Sequence, residues 1–91
     1  MPKYVIRREV PGAGQLSPRA LHQMSAKSNA VLAGMDGRAQ WVHSYVTGDG
    51  LFCVYNADSE EAVREHARVG GFPCNDVYQV AAIIDPVTGE G

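Results

Sequence analysis

The sequence predicts an α+β, ferredoxin-like fold, in which a four-stranded antiparallel sheet carries two helices on one face. Two segments with apolar residues at helical spacing separate segments that alternate like strands, so the element order is β-α-β-β-α-β. The glycine-rich turn at residues 48–50 joins the two middle strands as a hairpin. Since 91 residues leave room for little else, we expect residues 1–91 to form a single ferredoxin-like domain.

Four segments have the alternating or continuous apolar pattern of a β-strand. The first is predicted over residues 4–10 and ends at Pro11, because proline cannot donate a hydrogen bond to a neighbouring strand. The middle pair covers residues 40–47 and 51–57, and the last strand is predicted over residues 77–84.

Both helices carry start signals. Ser17 is an N-cap residue followed by Pro18 at the first helical position, and Gly34 is placed to end this helix. Asp58 with Glu61 three residues later resembles a capping box that opens the second helix. The apolar stripe of that second helix comprises Val63, His66, Ala67 and Gly70.

Composition excludes several classes of protein. Eight Lys plus Arg against ten Asp plus Glu give a net charge of −2, which argues against nucleic acid or an anionic membrane as the main partner. No apolar run reaches the roughly 18 residues of a membrane span. The N-terminus lacks an apolar signal core and the two cysteines form no disulfide pattern, so we expect a reducing cytoplasm.

The predicted sheet is apolar on both faces. The middle hairpin and the last strand around residues 80–84 carry large apolar side chains on each side, whereas a sheet with one wet face alternates apolar and polar residues. A second copy of the sheet is the expected cover, which predicts a homodimer built as a dimeric α/β barrel.

His43 is the first candidate for chemistry. Strict alternation places it on one strand face with Trp41 and Tyr45, opposite Val42, Ser44 and Val46. An imidazole there suits a metal such as nickel or zinc, or general-base catalysis. A core or interface histidine with a backbone partner fits the pattern equally well.

The other histidines and the cysteines favour structural roles. His66 falls on the apolar stripe of the second helix, which indicates packing, and His22 is most simply a surface residue. Cys53 resembles a buried small hydrophobe, and Cys74 lies in a loop without an identifiable histidine partner. No HExxH motif occurs, so any metal site must be assembled in three dimensions, including across a dimer.

Several segments resemble a known family. They are residues 41–47 (WVHSYVT), 61–67 (EAVREHA) and 70–73 (GGFP), supported by residues 4–9 and 84–86. Together they resemble the small bacterial nickel-binding ferredoxin-like protein family, formerly a domain of unknown function. The resemblance implies a ferredoxin-like homodimer that binds and sequesters Ni²⁺.

These residues support two main hypotheses of function. In the first, the protein is a non-catalytic metal-binding dimer, with His43, Glu65 and His66 as ligands to test, and with Ni²⁺ preferred but other divalent transition metals open. The alternative is a cofactor-independent oxygenase or isomerase of the dimeric α/β barrel type. In that enzyme His43 is the general base, and Tyr45 or Tyr55 orients the substrate. A third hypothesis is an interaction or ligand-sensing module.

Overall fold

The computed structural model describes residues 1–91 and contains one antiparallel sheet of four strands. The strands are β1 (Lys3–Glu9), β2 (Ala39–Val46), β3 (Gly50–Ala57) and β4 (Asp76–Gln79), and the helices are α1 (Pro18–Ala33) and α2 (Glu60–Gly70). The strand order is β2-β3-β1-β4. This is the predicted ferredoxin-like arrangement. Neither helix is long and apolar enough to cross a membrane.

Helix α1 begins and ends where the sequence predicts. The Ser17 side chain accepts a hydrogen bond from the backbone N–H of Ala20 at 3.1 Å, and Pro18 occupies the first turn. Gly34 is the C-cap residue. The cap satisfies one of the free N–H groups at the helix start, so the local sequence is sufficient to place this end.

Helix α2 starts one residue later than the predicted capping box, so the interpretation of Asp58 as the N-cap was wrong. Ser59 is the N-cap, and its Oγ accepts from the N–H of Ala62 at 3.2 Å. At the other end Gly71 adopts a left-handed φ of 69° and its N–H bonds to carbonyls of the last turn. A residue with a Cβ is strained in that conformation, which explains the glycine.

Both helices lie on one face of the sheet, which is called the inner face, and they cover it unequally; the opposite face is called the outer face. α2 buries a continuous stripe against the sheet, made of Ala62, Val63, His66, Ala67 and Gly70. In α1 the only buried residue is Ser28, while Leu21 and Met24 of its apolar stripe are half-buried. α1 therefore lies over the sheet without filling the space beneath it.

A β-bulge in β2 overturns the predicted alternation of that strand. Trp41 pairs with Tyr55 but His43 pairs with Val54, so Val42 is an extra residue in the ladder. Trp41 consequently lies on the inner face with Ser44 and Val46, whereas Val42, His43 and Tyr45 lie on the outer face. The expectation that Trp41 shares a face with His43 was wrong, because one inserted residue reverses the face of everything that follows.

The last strand is shorter than predicted. β4 ends at Gln79, which pairs with Tyr4, and one further backbone bond joins the N–H of Val80 to the carbonyl of Lys3 at 2.8 Å. β4 pairs only with β1, so its ladder ends where β1 begins. Ile83 and Ile84 are instead 70% and 79% exposed.

Candidate functional site

His43 lies exposed on the outer face of the sheet. Its Nε2 is 3.1 Å from the hydroxyl oxygen of Tyr45, and the two rings meet edge to face with centroids 5.0 Å apart. Both residues line an open apolar groove between the outer face and the chain that follows β4; the groove is completed by Lys3, Val5, Val42, Val54, Val80, Ala82, Ile83 and Ile84. The imidazole is therefore accessible, and the Tyr45 phenol is its hydrogen-bond partner within the chain.

His66 lies on the opposite side of the sheet, 1% exposed, between α2 and the inner face. Its Nε2 is 3.1 Å from Ser28 Oγ, its ring lies 5.2 Å from the rings of Tyr55 and Phe72, and its Nδ1 has no partner. Burial, with a further contribution from the positive charge of Arg8, lowers the pKa of His66 to about 4. The ring is accordingly neutral at neutral pH.

Glu65 projects from a different side of α2. Its two carboxylate oxygens accept hydrogen bonds from the guanidinium of Arg38, and this ion pair holds the pKa of Glu65 below its usual value. The carboxylate is thus already engaged by a cation of its own chain.

The structure does not bring the three predicted metal ligands together. No group of three or more His, Cys, Asp or Glu side chains converges anywhere in the chain. The donors of one chain therefore do not fit a bound Ni²⁺ ion, which takes several ligands.

The residues of the enzyme alternative are likewise divided. His43 and Tyr45 touch each other, but Tyr55 lies on the inner face, where burial raises the pKa of its phenol. The groove beside His43 is open rather than closed, so no enclosed substrate pocket adjoins it in one chain.

Arg8 is a buried arginine that was not among the residues predicted to form a site. Arg8 is 5% exposed on the inner face. Its Nε donates to Cys53 Sγ at 3.3 Å, its Nη1 donates to the carbonyl of Pro73, and its Cζ lies 5.7 Å from the centroid of the Phe72 ring. Its Nη2 is buried without a partner. The alternation that places Tyr4 and Ile6 on the inner face also places Arg8 there, and that was the available signal.

Arg8 lines a cavity of about 500 Å³ beneath α1. Its walls come from α1, β2, β3 and the loop after α2, and they are mostly apolar. Cys53 lies on the wall as a buried free thiol, as predicted, and the half-buried Cys74 lies outside it.

The sheet order and the two helices on one face define a ferredoxin-like α+β protein. The family model described as "Nickel responsive protein SCO4226-like" matches residues 4–80, and the chain belongs to this family. This match confirms the resemblance noted from the sequence motifs.

Two solved structures are similar to the chain. SCO4226 from Streptomyces coelicolor A3(2) is 16% identical with a TM-score of 0.76, over 90% of this chain and 99% of that one. Rv0793 from Mycobacterium tuberculosis is 18% identical with a TM-score of 0.40, over 94% of this chain and 99% of that one. The first likeness establishes the fold. The comparison with curated proteins gave no match.

Proposed function

We propose that this chain is a non-catalytic nickel-binding protein that acts as a homodimer and sequesters Ni²⁺, with His43 as a metal ligand. The observation that carries the proposal is the exposed imidazole of His43 on an apolar sheet face that its own chain leaves uncovered. Membership of the nickel-responsive family supports nickel as the ion.

The outer face has the character of a dimer interface. Tyr45, Phe52 and Tyr78 are 60%, 40% and 55% exposed there, beside the exposed Ile83 and Ile84. Apolar patches that are large and contiguous usually mark contact surfaces. In a two-fold dimer the same patch covers itself, so an interface that includes His43 contains two copies of its imidazole.

A second copy would also supply what one chain lacks for metal binding. One chain offers a single accessible imidazole on this face and no converging set of three donors. A neutral imidazole is a good ligand for Ni²⁺, and the general order of divalent affinities places Cu²⁺ above Ni²⁺ at such sites. We therefore expect one ion per dimer. His66 and Glu65 are weaker candidates, because the first is buried and the second is held by Arg38.

The test is calorimetric titration of Ni²⁺, Zn²⁺ and Cu²⁺ into metal-free, tag-free protein, with the solution mass measured by light scattering on the same sample. We expect a dimer that takes up one Ni²⁺ per two chains and loses this uptake in His43→Ala. His22→Ala is the matched control, because His22 is an exposed histidine on α1 away from the sheet.

Each contrary result has a definite meaning. Nickel uptake that is unchanged in His43→Ala contradicts the ligand assignment, and the variants Glu65→Ala and His66→Gln then identify whether either of the other candidates binds. A monomer contradicts the role of the outer face. A dimer that binds none of the three metals contradicts metal sequestration as the function.

A further inference from the structure

A buried positive charge in the inner cavity has no negative partner. Four ion pairs occur in the chain, and Arg8 belongs to none of them. Glu9 is the one acidic residue on the cavity lining, and its carboxylate is bonded to Arg7 on the outer face. Charged side chains that are almost fully buried are usually paired, because the removal of a lone charge from water is strongly unfavourable.

The hydrogen bonds of Arg8 compensate this charge only in part. A carbonyl oxygen and a thiol accept from Nη1 and Nε, and the Phe72 ring lies beside the guanidinium, but all three are neutral groups. Nη2 makes no hydrogen bond, and the neighbouring hydroxyl of Tyr55 is also a neutral group. A guanidinium presents its donors as a planar fork that fits the two oxygens of a carboxylate. A carboxylate would therefore both accept from the free Nη2 donor and balance the positive charge of Arg8.

The rest of the cavity suits an apolar body. The volume of about 500 Å³ lies within the range of small-molecule pockets. The apolar side chains on its lining include Leu21 and Met24 of α1, Trp41 and Val46 of β2, Leu51 of β3, and Phe72. The uncharged polar side chains on the lining are three serines, the Cys53 thiol and the hydroxyl of Tyr55.

We propose that this cavity binds a small organic monocarboxylate, whose carboxylate pairs with Arg8 and whose apolar body packs against Trp41 and α1. A neutral ligand would leave the buried charge of Arg8 uncompensated, and a cation would add to it. Inorganic phosphate would bring more charge than one guanidinium balances and would place it among apolar side chains. The site lies on the opposite side of the sheet from His43, so the proposal is independent of nickel binding.

The single tryptophan of the chain reports on this site directly. Trp41 is the only tryptophan and lines the cavity, so its fluorescence measures occupancy without a label. The probes are 4-phenylbutyrate and octanoate, with the neutral 4-phenylbutyramide and inorganic phosphate as comparisons. We expect a saturable fluorescence change with the two carboxylates, and binding of the amide and of phosphate weaker by about tenfold or more.

Two arginine variants distinguish the effect of the Arg8 guanidinium on affinity from the effect of the net charge of the protein. Arg8→Met removes the charge in the cavity, and we expect about a tenfold or greater loss of 4-phenylbutyrate affinity. Arg19→Met removes the same charge from the exposed surface of α1, where Arg19 does not line the cavity, and we expect the affinity to be unchanged. Circular dichroism establishes that each variant is folded.

The proposal is overturned by any of three results. They are failure of both carboxylates to bind wild-type protein, equal affinity for the acid and its amide, and unchanged affinity in folded Arg8→Met. Arg8→Met also removes the hydrogen bond to the carbonyl of Pro73. If this loss prevents folding, the comparison of the acid with its amide on wild-type protein decides whether the cavity recognises a carboxylate.

Discussion

The buried His66 makes the stability of the fold depend on pH. In the unfolded chain its imidazole titrates at the ordinary pKa of 6.5, and in the folded protein burial lowers this pKa to about 4. Between these two values the unfolded chain binds more protons than the folded one. The free energy of unfolding therefore falls as the pH is lowered from 6.5 towards 4, and the full contribution of His66 is present above 6.5.

The size of the effect follows from the two pKa values. Their difference of about 2.5 units corresponds to about 3 kcal/mol, since one pKa unit is worth about 1.4 kcal/mol. For a domain of 91 residues this is a large part of a typical stability of roughly 5–15 kcal/mol. Carboxylates also titrate near the lower end of this range, so the contribution of His66 has to be measured as a difference.

The assay is urea unfolding, followed by circular dichroism, of wild type and His66→Gln at several pH values from about 7 to about 4. Glutamine retains a polar group to meet Ser28 but does not titrate. We expect the stability advantage of wild type over His66→Gln to shrink by about 3 kcal/mol across this range. His22→Gln is the control, because it removes a histidine from the exposed surface of α1 and leaves the contacts of His66 in place. An advantage that stays constant with pH would refute the assignment of the buried neutral imidazole.

Two further predictions concern the ends of α2. Gly70→Ala places a Cβ 2.2 Å from Cε2 of Phe72, so we expect the free energy of unfolding, measured by thermal or urea unfolding, to fall by about 1–3 kcal/mol. Gly34→Ala is the control, because the nearest atom to its Cβ is the carbonyl oxygen of Val31 at 3.6 Å. Equal stability of the two variants would contradict the packing of the Phe72 ring against Gly70. Ser59→Ala removes the N-cap hydrogen bond and should lower the free energy of unfolding by about 1 kcal/mol, whereas Asp58→Ala should lower it by less. The reverse order of the two losses would identify Asp58 as the N-cap.

The sequence determined much of the fold because its signals are local. The cap at Ser17 and the stop at Gly34 act within one helical turn, and the turn at residues 48–50 joins its two strands without help from the rest of the chain. His66 was predicted to pack because it falls on the apolar stripe of α2, and it is buried.

Tertiary structure decided what local signals leave open. The extra residue Val42 carries no signal of its own, yet it turns Trp41 into the cavity and leaves His43 outside. β4 ends at Gln79 because β1, the strand with which it pairs, begins opposite this point, although the apolar sequence continues to Ile84. That Arg8 is buried follows from alternation, but that it lacks a carboxylate partner depends on every element packed around it. Such long-range relations exist only when the whole chain is folded, so they are visible only in the structure.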